Sequence, residues 1–361
     1  MIGTLAPGAR VHLLGVSGTA MASLAGLLKE RGFRVTGSDK DCYPPMSLLL
    51  DELGIEVRSP YAPENLPDGV DLVVIGNALS RGNSELEAVL ERRLRYASMP
   101  EVLKDLFLRD RTPVVVAGTH GKTTTSSLAA WILECAGRDP GFLIGGVPPN
   151  FRRSFRIGTG EAFVVEGDEY DTAYFDKGPK FLHYLPRVAV IGNVEFDHAD
   201  IYRDAEEVER AFRLFANLVP RNGLLIVGIE SERAARVAES APSPVETFAV
   251  EGEADWTAEI QETGARGTRF RIRGRGAEVA TVEAQLWGRA SLRNVLAATA
   301  AVSYLGCSQS DIAKGISTFT GVKRRLEVRG VASGVTVVDD FAHHPTAIRE
   351  TIAAARDRFP G

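Results

Sequence analysis

Cysteine is scarce in this chain, and long apolar runs are missing. Cys42, Cys135 and Cys307 are its only three cysteines among 361 residues. They are odd in number, far apart and without a CxxC pair, which excludes a disulfide framework and gives no thiolate zinc or redox motif. No stretch stays apolar for the roughly eighteen residues a membrane helix needs, and the N-terminus has no basic segment leading into a long apolar core. Basic runs are absent too. With a formal charge of -5 the chain offers no evident nucleic-acid surface. Internal repeats and low-complexity tracts are likewise missing. What remains is a chain that reads as soluble and cytoplasmic, long enough for two or three domains with cores of their own.

The rest is arranged around Val114-Val115-Val116-Ala117-Gly118-Thr119-His120-Gly121-Lys122-Thr123-Thr124-Thr125. A β-branched apolar run breaks into two glycines and Lys-Thr-Thr, then into a helix-compatible segment from Ser126 to Ala136. Strand, phosphate loop and helix in that order make a nucleotide-triphosphate site. Backbone N–H groups near Gly118, Thr119, His120 and Gly121 can turn onto a polyphosphate, Lys122 brings a point charge, and the Thr123 hydroxyl can ligate Mg2+. The spacing departs from GxxxxGK[ST], because Val116 stands where the first glycine belongs and the glycine comes at Gly118.

Residues 1–110 read as a first domain. A strand from Val11 meets a turn at Gly15, Ser17, Gly18, Thr19 and Met21, a helix follows to Arg31, and a second strand ends at Ser38 and Asp39. This is a Rossmann-like βαβ order with an acidic residue about twenty positions after the turn. Ser17 and Ala20 occupy positions where GxGxxG needs glycine, so a nicotinamide-dependent dehydrogenase and a tight turn with packing glycines both stay open. Further strands are expected at residues 54–58, 71–76 and 95–97, making a small parallel sheet.

Residues 111–325 form the expected central domain. Ala162-Phe163-Val164-Val165 delivers Glu166-Gly167-Asp168-Glu169-Tyr170-Asp171 at a strand end, where parallel sheets place their ligands. Arg187 to Ile191 likewise delivers Asn193, Glu195, Asp197 and His198. Thr123, Glu166 and His198 thus make a plausible metal set around a triphosphate. Helices are expected at residues 204–218, 290–305 and 311–319, and Gly321 to Glu327 is a basic turn. After it, Val335 to Asp339 is a strand and Pro345 opens a helix. One strand and one helix cannot bury a core, so residues 326–361 read as the incomplete start of a third domain. The fold expected is α/β throughout: a Rossmann-like domain, a P-loop ATPase-type domain and the start of a truncated C-terminal α/β domain.

With these residues in hand, the chain resembles the Mur ligase family, ATP-dependent enzymes that build cell-wall peptide on a UDP-sugar. The likeness runs the full length and rests on Gly118 to Thr124, Glu166 to Glu169, Asn193 to His198, Gly321 to Glu327 and Asp339 to Pro345. It implies ATP and Mg2+ as cofactors and UDP-N-acetylmuramate as the substrate whose carboxylate is joined either to L-alanine or to the murein tripeptide L-alanyl-γ-D-glutamyl-meso-diaminopimelate. Tyr43 to Met46, Gly76 to Asn83, Tyr170 to Lys177 and Phe196 to Ile201 look like the tripeptide-adding recycling branch. The resemblance assigns Lys122, Glu166 and His198 to catalysis, and Thr123, Glu166 and His198 to the metal. It puts the phosphate loop through Thr124, with Asn294, Arg325 and Asp340, on ATP, and Gly15, Ser17, Gly18, Thr19, Met21, Ser38, Asp39, Asn77, His120 and Asp171 on the UDP-sugar side. Two departures stand out. Gly288-Arg289-Ala290-Ser291 replaces the usual Gly-x-His-Asn of the adenine helix, and Arg213 stands where several branches carry a carbamylated lysine. Because the family's third domain closes over ATP, a chain ending at residue 361 is expected to bind UDP-N-acetylmuramate and to ligate weakly or not at all. A non-catalytic nucleotide-binding module is the alternative of another class.

Overall fold

The computed structural model describes Ile2 and residues 5–359. Its contacts group into two units, one ending at Arg111 and also taking in Phe155–Ile157 and Tyr170–Leu185, the other holding Thr112–Ser154, Gly158–Glu169 and the chain from Pro186 on. In chain order the first unit runs β1 (Arg10–Leu14), α1 (Thr19–Glu30), β2 (Arg34–Ser38), α2 (Met46–Glu52), β3 (Glu56–Arg58), β4 (Leu72–Ile75), α3 (Ser84–Glu91), β5 (Tyr96–Ser98) and α4 (Met99–Leu103). Its sheet has the order β3-β2-β1-β4-β5, all parallel. Leu72-Val73-Val74-Ile75 is wholly buried, the continuous apolar pattern a strand covered on both faces must have. Strand order reverses between β1 and β4, so the turn after β1 opens at the switch point where such sheets bind ligands. The five strands and their parallel pairing are those expected from the sequence; their order is not fixed by it.

The chain then enters the second unit with β6 (Thr112–Ala117), α5 (Lys122–Cys135) and β7 (Gly141–Leu143), and returns to the first with β8 (Phe155–Arg156). There Phe155 lies against α1 so closely that a Cβ on Gly26 would sit 2.1 Å from the ring, which only glycine permits. After β9 (Ala162–Gly167) in the second unit, β10 (Asp171–Ala173) and β11 (Asp176–Pro179) form an antiparallel hairpin in the first. This interleaving is absent from a linear reading of the chain.

The remaining elements are β12 (Val188–Ile191), α6 (Ala205–Ala216), β13 (Leu224–Gly228), α7 (Glu232–Ala238), β14 (Val245–Ala249), β15 (Trp256–Gly264), β16 (Gly267–Gly274), β17 (Ala277–Ala284), α8 (Gly288–Tyr304), α9 (Gln309–Thr318), β18 (Glu327–Ala332), β19 (Val335–Asp339) and α10 (Pro345–Arg358). The second unit's sheet runs β17-β16-β15-β14-β13-β12-β6-β9-β7, parallel from β15 to β7 and antiparallel through the β15–β17 meander. Its core packs Val114, Val116, Val164 and Val190 under Leu128 and Ile132 of α5 and Val295 and Leu296 of α8. Helix α5 starts at Lys122, four residues before the start expected from its apolar pattern, because Gly121 takes a left-handed φ of +83° and turns the chain straight into the helix. After Leu326, β18 and β19 pair antiparallel, with Val331, Val335 and Val337 exposed, and α10 packs on α8. Among the described residues no helix is long and apolar enough to cross a membrane.

Candidate active site

In the second unit the loop between β6 and α5 is folded onto the segment that follows β12. Thr119 N–H donates to the Asn193 carbonyl at 3.1 Å and His120 N–H to Asn193 Oδ1 at 2.8 Å, while Glu195 N–H donates to Thr119 Oγ1 at 2.9 Å. Gly118 has φ +139°, and a Cβ there would lie 3.2 Å from the backbone nitrogens of Gly192 and Asn193. Both loop glycines therefore serve backbone geometry that a side chain would break.

Lys122, the first residue of α5, is held by its surroundings. Its ammonium donates to both carboxylate oxygens of Glu169, at 2.9 and 2.8 Å, and to the Gly118 carbonyl at 2.7 Å. Burial works against its charge, but the Glu169 and Asp168 carboxylates outweigh burial and leave its pKa above the ordinary value. His198, with a positive φ of 58°, also faces Glu169, Nε2 to Oε1 at 3.3 Å, and that carboxylate raises its pKa. Glu169 is buried and joins two of the groups assigned to catalysis. In sequence it stands in an acidic run with nothing local to mark it, because its partners Lys122 and His198 lie far along the chain.

Thr123 Oγ1 donates to Glu166 Oε2 at 3.1 Å, and Gly145 N–H donates to Glu166 Oε1 at 2.6 Å. Burial pushes the Glu166 carboxyl above its usual range, the mark of a carboxylate short of countercharge. A hydroxyl and such a carboxylate at a helix N-terminus are hard oxygen donors that fit Mg2+. The third member of the expected metal set, His198, is engaged by Glu169.

The phosphate loop and the start of α5 open onto a cleft of about 980 Å³ in the second unit, whose wall includes His120, Lys122, Thr124, Asn294, Arg325 and Asp340. Asn294 lies against the loop: its Oδ1 accepts from Thr125 Oγ1 at 3.2 Å and would be 2.3 Å from a Cβ on Gly121. The Arg325 guanidinium lies 5.6 Å from the Phe341 ring centroid, and Asp340 accepts from the backbone N–H groups of Leu326 and Ala342. Across a long sequence gap, Glu195 meets Thr346 Oγ1 at 2.8 Å and His344 Nδ1 at 3.2 Å. His120 beside it does most to hold the Glu195 carboxyl below its usual range, against burial. Neither Glu195 nor His344 was singled out from sequence, although both stand inside motifs quoted there.

In the first unit, the turn after β1 is fixed by Gly15 N–H donating to the Ser38 carbonyl and Ser17 N–H to Asp39 Oδ2, both at 2.8 Å. Gly18 caps α1, which begins at Thr19, and Met21 is buried. Beneath Ser38, the buried His12 reaches Glu85 at 2.7 Å, and Glu85 accepts from Ser38 Oγ at 2.8 Å. Tyr61 donates to Asp39, and burial together with that carboxylate pushes its phenol well above the ordinary range. Asn77 lies in the turn after β4, and Asp171 is paired with Lys177 at 2.6 Å.

A parallel sheet that aims a phosphate loop and its lysine at one cleft, with a threonine–glutamate pair hydrogen-bonded at the start of the next helix, defines a nucleotide-triphosphate-dependent enzyme site. Residues 10–111 match "Mur ligase family, catalytic domain", residues 116–302 "Mur ligase middle domain" and residues 324–361 "Mur ligase, glutamate ligase domain". The chain belongs to the Mur ligase family. It is 45% identical over 352 residues to the UDP-N-acetylmuramate–L-alanyl-γ-D-glutamyl-meso-2,6-diaminoheptandioate ligase of Escherichia coli (strain K12), covering 98% of this chain and 76% of that protein. Against the UDP-N-acetylmuramate–L-alanine ligase of Salinibacter ruber (strain DSM 13855 / M31) the identity is 35%, over 97% of this chain and 72% of the relative. A crystal structure of a murein peptide ligase from Psychrobacter arcticus 273-4 superposes with a TM-score of 0.85 at 38% identity, covering 97% of this chain and 76% of that one.

Proposed function

We propose that this protein is an ATP-dependent amide ligase that joins L-alanyl-γ-D-glutamyl-meso-diaminopimelate to the lactyl carboxylate of UDP-N-acetylmuramate, in the cytoplasmic recycling of cell-wall peptide. The observation that carries the reaction class is the site around Lys122, with Thr123 and Glu166 hydrogen-bonded beside it at the start of α5. The choice of acceptor rests on 45% identity to the tripeptide ligase against 35% to the alanine ligase. Working parts at residues 1–110, 111–325 and 326–361 divide the task among UDP-sugar, ATP and closure.

A carboxylate is a poor electrophile, and its oxygen is a poor leaving group. Transfer of the γ-phosphoryl group of ATP to the muramyl carboxylate makes an acyl phosphate; the peptide amine then attacks the acyl carbon, and phosphate departs. Lys122 leaves Glu169 for the phosphates and offsets the charge spread over the transferred group. Thr123 and Glu166 would hold Mg2+, which neutralises phosphate charge when bound. Glu169 positions Lys122 and His198 before ATP arrives. Asn294 braces the loop from α8, and Arg325 and Asp340 meet the nucleotide from the far wall. In the first unit, Gly15 to Met21 take the diphosphate, with Ser38 and Asp39 nearer the uridine and Asn77 and Asp171 also on the sugar-nucleotide side.

The test is ATP- and Mg2+-dependent phosphate release with UDP-N-acetylmuramate, comparing the tripeptide with L-alanine. Release supported by the tripeptide is expected, and removal of Mg2+ by a chelator should abolish it. Release supported by alanine alone would transfer the protein to the biosynthetic reaction, and ATP binding without any carboxylate-dependent release would leave a nucleotide-binding module.

A further inference from the structure

We infer that His120, Glu195 and His344 form a second cation site, for a borderline divalent transition ion such as Zn2+, separate from the Thr123–Glu166 oxygen pair. Among the described residues they are the one group of at least three His, Cys, Asp or Glu side chains that could hold a metal ion, with one ligand atom from each lying within 4.8 Å of the others. The three come from distant parts of the second unit: the phosphate loop, the segment after β12 and the N-cap of α10.

The hydrogen bonding around them leaves lone pairs facing one another. His344 Nε2 lies 3.3 Å from the Phe196 carbonyl, which can only accept, so Nε2 carries the ring proton. Thr346 N–H donates to Nδ1 at 3.3 Å, so Nδ1 is the ring's lone pair, and it faces Glu195 Oε2 at 3.2 Å. On the other side, His120 Nε2 is buried without a hydrogen-bond partner, 3.5 Å from the same carboxylate oxygen. Two imidazole nitrogens and a carboxylate thus face one point with no hydrogen bond of ordinary geometry joining either ring to the carboxylate, an arrangement that a cation at that point satisfies. The 3.5 and 3.2 Å separations of the two imidazole nitrogens from Glu195 Oε2 suit one, since metal–ligand bonds near 2.0–2.1 Å in a tetrahedron put neighbouring ligand atoms about 3.3 Å apart.

The chemistry selects the ion class. Two imidazoles and one carboxylate suit zinc and its neighbours, whereas Mg2+ prefers an all-oxygen shell. The backbone carbonyl on His344 Nε2–H and the Thr346 hydroxyl on Glu195 are the outer partners that orient metal ligands. An ion here stitches the first turn of α10 to the phosphate loop. This inference stands apart from the choice of peptide acceptor.

The test uses chelator-stripped protein without nucleotide, titrated with Zn2+ against a chromophoric competitor and with Co2+ followed by its visible spectrum. One ion per chain is expected, with a tetrahedral Co2+ spectrum lacking thiolate charge transfer and a rise in Tm on binding. His120→Asn and His344→Asn should each weaken binding by about tenfold or more. Asparagine is a good helix N-cap, so the His344 variant keeps that role and its own melting curve checks its fold. His198→Ala and Cys42→Ser should retain the site. Binding no tighter than in the His120→Asn/His344→Asn double variant, or binding lost in His198→Ala and kept in the single variants, would overturn the assignment.

Discussion

Lys122 and Gly121 illustrate two different kinds of dependence at the residue scale. The ammonium of Lys122 is charged, half-buried and held by Glu169, so it is ready to exchange one anion for another. Lys122→Met should lower ATP-dependent phosphate release by about 10²–10³-fold, the usual loss for one group aimed at developing charge, and should also lower the melting temperature, because buried Glu169 loses its ammonium partner. Comparing kcat with a thermal melt separates the two effects. Gly121 contributes shape alone. Gly121→Ala must hold alanine at φ +83° with its Cβ 2.3 Å from Asn294 Oδ1, so both Tm and nucleotide affinity should fall; calorimetric titration with ATP would detect the second. Lys122, Thr123 and Glu166 were legible in the sequence because they stand at fixed spacings after strand patterns. Glu169 and His344 gain their roles from partners 47 and 148 residues away, which local pattern cannot supply.

At the scale of elements, α6 and α7 are tied by Glu209, whose side chain is 9% exposed and accepts from Arg213 and Arg236, both at 2.7 Å, and from Arg233 at 3.3 Å. Arg236 first, with Arg213 adding to it, holds the Glu209 carboxyl below its usual range. A carboxyl depressed in the folded state adds stability above its unfolded pKa, and that stability is lost as pH falls through the folded value. Glu209→Gln should therefore cost about 1–2 kcal/mol near neutral pH. The difference from the parent should shrink below about pH 4. Urea melts at several pH values would read it. Strands β1, β4, β6, β9 and β12 were legible as apolar runs and α1, α6, α8 and α9 lie where helices are expected, whereas the parallel strands β7, β13 and β14 were not read from the sequence. The start of α5 was not, since Gly121 rather than an apolar period sets it. Strand β18 also escaped notice, because Val328 and Val331 are exposed and give no buried pattern.

For the molecule as a whole, the order of motifs was readable and the interleaving of the two units was not: Phe155–Ile157 and Tyr170–Leu185 join the first unit from inside the second's sequence. Only a close packing event such as Phe155 against Gly26 reveals that assignment. It places the Asp171–Lys177 pair in the unit that carries the Gly15 turn, the opposite grouping from the one suggested by sequence distance. Lys177→Ala should consequently raise KM for the UDP-sugar or peptide while leaving KM for ATP unchanged; steady-state kinetics with each substrate varied in turn would show it. The account as a whole predicts an amide ligase whose nucleotide chemistry depends on Lys122 and whose acceptor is a peptide. The most direct measurement is phosphate release from ATP by the protein expressed from its full reading frame, with UDP-N-acetylmuramate and either the tripeptide or L-alanine. The account predicts release with the tripeptide, loss of that release in Lys122→Met, and little release with alanine. Equal or greater release with alanine, or release indifferent to Lys122, would contradict it.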